Sequence, residues 1–143
     1  MAELPDALYD QVTRLSELGN EHADDRQFDF AINCWRDALN LLPAPVEQWD
    51  AASWLHASIG DAAWQAGRPK ATKEAMFDAL NCAGGVENPF IHFRLGQAAE
   101  RLGERDLAVQ SYMKAYMLDG TDIFDADPQG AAALKLLKQH AVL

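Results

Sequence analysis

Three stretches of the chain repeat one arrangement of large, small and polar positions. They read LSELGNEHADDRQFDFAINCWRDALNLLP from Leu15, HASIGDAAWQAGRPKATKEAMFDALNCAG from His56, and HFRLGQAAERLGERDLAVQSYMKAYMLDG from His92. In each, a large apolar residue precedes a glycine: Leu18-Gly19, Ile59-Gly60 and Leu95-Gly96. Twelve positions after the glycine stand Ala31, Thr72 and Ala108; sixteen after stand Trp35, Met76 and Tyr112; nineteen after stand Ala38, Ala79 and Ala115. Antiparallel helices approach closely only where one of them carries Gly or Ala, and bulkier side chains must fill the gaps beside the contact. Each stretch therefore predicts a pair of helices. In the first, Gly19, Ala31 and Ala38 are the contact points, and Leu15, Leu18 and Trp35 the fillers.

Punctuation supports the same division. Gly67 and Gly103 each follow the repeat glycine by seven positions, where a chain leaving a helix needs a positive φ; the first stretch carries Arg26 there. Pro43 marks a stop, and Pro69 a helix start, where its missing N–H is harmless. The segment from Pro5 to about Asp24 predicts the opening helix. At the other end, in DPQGAAALKLLKQHAVL, Asp127 caps and Pro128 starts a closing helix over about 128–141, with Ala133, Leu134, Leu137 and Val142 as its apolar stripe. The expectation is an all-α chain of about seven helices without a sheet, organised as a single domain over 1–143. Abundant Leu, Ala, Met, Glu, Gln and Arg and sparse Val, Ile and Thr point the same way.

Charge and chemistry narrow the function. Twelve Lys and Arg against 22 Asp and Glu give a net charge of -10. Such a chain repels phosphate backbones and anionic lipid, so neither nucleic acid nor membrane is expected as a partner, and a basic protein is. Cys34 and Cys82 stand 48 positions apart among apolar neighbours, as buried reduced thiols would. The start MAELPDALYD carries acids where a signal peptide needs a basic and then an apolar stretch, which predicts a cytoplasmic protein. His22, His56 and His92 fall on packing positions and form no metal-ligand spacing with His140 or the cysteines. Asp119, Asp122, Asp125 and Asp127 lack the alternating ligands, central Gly and terminal Glu of a calcium loop, and read as a solvated capping loop. No nucleophile elbow, P-loop or dinucleotide-binding glycine pattern occurs. The expectation is a protein with no catalytic residues, no metal and no cofactor.

The glycine and alanine register resembles the tetratricopeptide repeat (TPR), a 34-residue helix-turn-helix unit. The resemblance implies repeats at about 12–45, 53–86 and 89–122 in a right-handed superhelical stack, with the first helix of each pair lining a concave face. Departures are Thr72 for the usual Ala, Arg26 for Gly, Gly84 and Gly120 where Pro is usual, and glycine-to-glycine spacings of 41 and 36, which place an irregularity at PAPVEQWD. Concave positions in the family lie six and three before the repeat glycine and one, four and five after it. Carried over, they are Thr13, Ser16, Asn20, Ala23 and Asp24; Trp54, Ala57, Asp61, Trp64 and Gln65; and Phe90, Phe93, Gln97, Glu100 and Arg101. From these, the candidate partner-binding set is Asn20, Trp54, Asp61, Trp64, Gln65, Phe90, Phe93, Gln97, Glu100 and Arg101, aromatic anchors among polar neighbours. The groove that clamps chaperone C-terminal carboxylates pairs Asn with Lys or Arg; here Asn20 is accompanied by Ser16, and Arg101 is the one basic residue of the fifteen, so that clamp is not expected.

The stretch from NPFIHFRLGQ to IFDADPQ also resembles the C-terminal half of small bacterial stand-alone TPR proteins that serve as immunity partners of polymorphic or contact-dependent toxins. That resemblance implies a non-catalytic immunity protein that occludes a basic toxin domain. The alternative is a TPR-type secretion chaperone or general scaffold holding a client peptide in the groove. Whether the free chain is a monomer or a homodimer is left open.

Overall fold

The computed structural model describes residues 3–140, which form eight helices and no strand. These are α1 (Asp6–Asp24), α2 (Phe28–Leu41), α3 (Asp50–Gln65), α4 (Pro69–Leu80), α5 (Pro89–Arg101), α6 (Arg105–Asp119), α7 (Asp122–Asp125) and α8 (Gly130–His140). The one-turn α7 is the element absent from the sequence reading. It forms because Phe124 folds into the core, 1% exposed, from what reads as a solvated acidic loop. Ala133, Leu134 and Leu137 of α8 pack over α6 and α7; Val142 lies outside the described residues.

The strongest packing is within α1/α2, α3/α4 and α5/α6, and each pair then packs on the next. The cause is visible at the repeat glycines. A Cβ built on Gly19 would stand 2.3 Å from Trp35 Nε1, one on Gly60 2.7 Å from Met76 Cε, and one on Gly96 2.5 Å from two ring carbons of Tyr112. The large residue sixteen positions downstream thus occupies the space a side chain would need. Ala31, Ala38, Ala79, Ala108 and Ala115 are fully buried beside these contacts. Leu18, expected as a filler, is instead 42% exposed, because Trp35 alone fills the gap over Gly19 and donates its Nε1–H to the Ser16 carbonyl at 3.2 Å.

All three pairs turn through the same motif. Arg26, Gly67 and Gly103 have φ of 60°, 76° and 78°. The next residue's N–H reaches back to a helix carbonyl each time: Gln27 to His22, Arg68 to Ala63 and Glu104 to Ala99, all at 2.8 Å. Arg26 therefore keeps the geometry in spite of its Cβ. The longer first spacing is not a longer loop, as the sequence suggested. Residues 42–49 and 81–88 both make eight-residue joints containing a 3-10 turn, tied together by Ala83 N–H donating to the Glu47 carbonyl at 2.9 Å. The extra residues lie in helices: α2 is 14 residues long against 12 in α4, and α3 starts three residues further ahead of its glycine than α5.

Candidate functional site

The first helix of each pair, α1, α3 and α5, shares one face of the stack, and its most organised point is Arg94 of α5. This side chain is 11% exposed. Its Nη2 pairs with Asp61 Oδ1 of α3 at 2.8 Å, and its Nη1 with Gln97 Oε1 at 2.6 Å and Asp127 Oδ2 at 3.3 Å. Gln97 Nε2 also donates to Asp127 at 3.3 Å. The guanidinium lies 5.0 Å from the Phe90 ring centroid and 5.6 Å from that of Trp64. One cation thus fastens the second pair, the third pair and the segment leading into α8. Its Nε is buried and has no hydrogen-bond partner among the described residues.

Over this base lies an open cleft of about 500 Å³, bounded by Trp64, Gln97, Glu100, Arg101 and Tyr112 on one side and by Pro128, Gln129, Ala132 and Ala133 of the closing segment on the other. Arg101 stacks on Trp64, its guanidinium carbon 4.3 Å from the ring centroid, and has no acid partner among the described residues. Stacking holds the planar fork while leaving its N–H donors available. Tyr112 donates its hydroxyl to Glu100 Oε1 at 2.8 Å; burial, then the Glu100 carboxylate, pushes its ionisation far above the ordinary phenol range, so it stays a neutral donor. Gln65 donates to Asp61 at 2.9 Å, which orients that carboxylate between α3 and Arg94. The cleft offers an aromatic face and a cation held in place, beside the Glu100 carboxylate.

The candidate residues divide accordingly. Asp61, Trp64, Gln65, Phe90, Gln97, Glu100 and Arg101 gather around Arg94, although Gln97 is 4% exposed and is occupied in holding the network. Asn20 is exposed on α1 and lines none of this cleft. Trp54, 37% exposed, lies at the other end of α3. Phe93 requires correction: it is 1% exposed and packs edge-on against Phe124 at 5.3 Å and beside Tyr112 at 5.7 Å. Ser16 and Ala57, also three before their glycines, are buried too, so this register position packs between elements here, and in α5 it is the next residue, Arg94, that reaches the cluster. That one-residue shift hid Arg94, which occupies the turn between Phe90 and Gln97 on the same helix face. Asp127 has two roles: it accepts from the Gln129 N–H at 2.8 Å as a cap and holds Arg94.

Outside the groove, His92 is buried and hydrogen-bonded to the Val86 carbonyl at 2.9 Å. His56 is half-buried on the opposite side of α3, in a cleft of about 410 Å³ between α2 and α4, and burial lowers its pKa. His22, expected in the core, is half-exposed and stacks on the exposed Phe30 at 5.6 Å. Cys82 is buried and Cys34 half-buried; burial raises the pKa of both thiols. No helix among the described residues is long and apolar enough to cross a membrane.

No protein-family model matches the chain. No curated protein matches it either. Solved structures do. The Arabidopsis OM64 TPR domain superposes with a TM-score of 0.72 at 18% identity, over 93% of this chain and 98% of that one. The first TPR of Spaghetti (RPAP3), bound to HSP90 peptide SRMEEVD, gives 0.71 at 16% identity, over 91% and 92%. The Yersinia enterocolitica type III secretion chaperone SycD, in complex with a peptide of the translocator YopD, gives 0.72 at 14% identity, over 91% and 92%. The chain has the fold of tetratricopeptide-repeat domains, helix pairs stacked into a superhelix.

Proposed function

We propose that this chain is a non-catalytic protein-binding module that holds a partner against the concave face, over Trp64, Phe90, Arg94 and Arg101. The observation that carries the reading is the Trp64–Arg101 stack at the mouth of an open cleft, braced from beneath by Arg94. Rigid aromatic and Arg groups fixed before binding lose little entropy when a partner arrives, which is what binding hot spots require. Structures of the same fold hold peptides, from HSP90 in RPAP3 and from YopD in SycD.

In its finer form the reading is immunity: the chain captures a basic bacterial toxin domain and occludes its active site. The net charge of -10 favours fast capture of a basic partner, and the C-terminal half carries the resemblance described above. A second reading, a secretion chaperone, draws on the fold shared with SycD. Coexpression with the product of the adjoining gene distinguishes them. Immunity predicts rescued growth and a stoichiometric complex with the folded domain whose association slows as salt rises. Binding confined to an isolated linear peptide, without protection of cells, would overturn immunity in favour of the chaperone.

A further inference from the structure

A second cleft, of about 460 Å³, lies where the N-terminal ends of α1 and α3 adjoin. It is separate from the Trp64 site: Trp54 and Trp64 are ten residues apart on α3, about 15 Å along the axis. Three of its walls are aromatic. Trp54 and Tyr9 are 37% and 55% exposed, so both rings are available at the surface. Trp49 is mostly buried and donates its Nε1–H to the Pro43 carbonyl at 2.8 Å, so it offers the cleft its ring and no donor. The remaining polar wall carries Glu3, Asp6 and Asp50, all exposed, and none in an ion pair among the described residues. Among the described residues no Lys, Arg or His lines the cleft.

Asp6 and Asp50 stand in the first turns of their helices, where acids complement the positive helix end. That role does not exhaust the charge. Each helix end is worth roughly half a positive charge, so two of them offset about one of the three carboxylates. What remains is negative charge that no cation among the described residues compensates, beside exposed π faces, the combination that receives an ammonium or guanidinium. An apolar occupant would cover these carboxylates with no countercharge.

We propose that this cleft takes the cationic tip of a Lys or Arg side chain of the partner protein. The proposal rests on the protein-binding reading above and adds a second anchor point at the far end of α3. A partner held at both would span the length of that helix, with an Arg or Lys about 15 Å from whatever group contacts Trp64.

The test needs no knowledge of the partner. The indole N–H signals of Trp35, Trp49, Trp54 and Trp64 are followed by NMR at low salt during titration with three blocked tripeptides, Gly-X-Gly, in which X is Arg, Lys or norleucine. The Arg or Lys peptide should shift the Trp54 signal saturably while Trp35 stays still, and the norleucine peptide should bind at least about tenfold more weakly. Converting Asp6→Asn and Asp50→Asn together should weaken the Arg or Lys peptide at least about fivefold, and Trp54→Ala should abolish the titration at Trp49. Folding of each variant is checked by its helical circular dichroism. Equal affinity for norleucine, no saturable shift at Trp54, or a titration seen at Trp64 alone would overturn the proposal. None of these would touch the Trp64 site itself, whose failure shows only in partner-binding assays.

Discussion

Gly96→Ala should destabilise the protein although it replaces a poor helix former by the best. The added Cβ would lie 2.5 Å from Cδ1 and Cε1 of Tyr112, against the 3.5–4.0 Å or so of ordinary carbon contacts. The ring would have to retreat by about 1 Å. It has nowhere to go: it is 1% exposed, backed by Phe93 at 5.7 Å and Phe124 at 6.0 Å, and tethered through its hydroxyl to Glu100. Overpacking of this kind costs about 1–3 kcal/mol, and this enclosed ring belongs near the top of that range. Removing a helix-interior glycine returns about 1 kcal/mol. The net loss is about 2 kcal/mol, or about 8 °C in Tm at about 4 °C per kcal/mol. Gly60→Ala is the control. Its Cβ would meet the Met76 methyl at 2.7 Å, the end of a flexible though fully buried chain, and the Ala75 Cβ at 3.3 Å, so the net loss should be smaller than at Gly96. Urea and thermal unfolding followed at 222 nm would give both values. A Gly96→Ala protein as stable as the parent would refute the idea that the glycine-filler contact sets the spacing of each pair, and a Gly60→Ala protein equally damaged would refute the idea that the stiffness of the filler sets the cost.

Arg94→Ala would leave Asp61 and Asp127 without their cation; with side chains 29% and 18% exposed, the loss should be about 2 kcal/mol rather than that of a fully buried pair, with faster amide exchange over 130–140. Arg26→Gly should stabilise by about 0.5–1 kcal/mol in urea unfolding, because it relieves a φ of 60° that costs a residue with a Cβ. His56 has its pKa lowered below 6.5, chiefly by burial, against the weaker opposing pull of Asp78 and Glu47. The unfolded chain therefore binds its proton first, so stability is full above about pH 6.5 and falls as pH drops below that value, at no more than about 1.4 kcal/mol per pH unit. Unfolding at pH 7.5 and 5.5 should show a smaller difference in His56→Gln than in the parent.

The helix pairs were legible because packing leaves a periodic trace. Gly19, Gly60 and Gly96 each exclude a side chain for a filler sixteen residues on, and Gly67 and Gly103 each sit where φ must be positive. The candidate site was legible only in part. Trp64, Phe90 and Arg101 follow from register, but Arg94 was passed over because it lies one position off the assumed face, and nothing local reveals the partners that bury it. Asp61 lies 33 positions before it and Asp127 33 after, so the ion network exists only once the pairs stack. Phe93 was misplaced for the same reason. Its burial depends on Phe124, supplied by a turn of helix whose acidic neighbours conceal its apolar residue.

The central claim, that the concave face over Trp64 holds the partner, is tested most directly by calorimetric titration of the purified product of the adjoining gene. The titration is run into the parent, into Trp64→Ala, and into Met117→Ser, which alters a residue 77% exposed on α6 and outside the cleft. With helicity unchanged, Trp64→Ala should weaken binding by about 2 kcal/mol or more, roughly thirtyfold, while Met117→Ser binds like the parent. Parent-like affinity in Trp64→Ala together with a loss in Met117→Ser would put the partner on the other face and contradict the account.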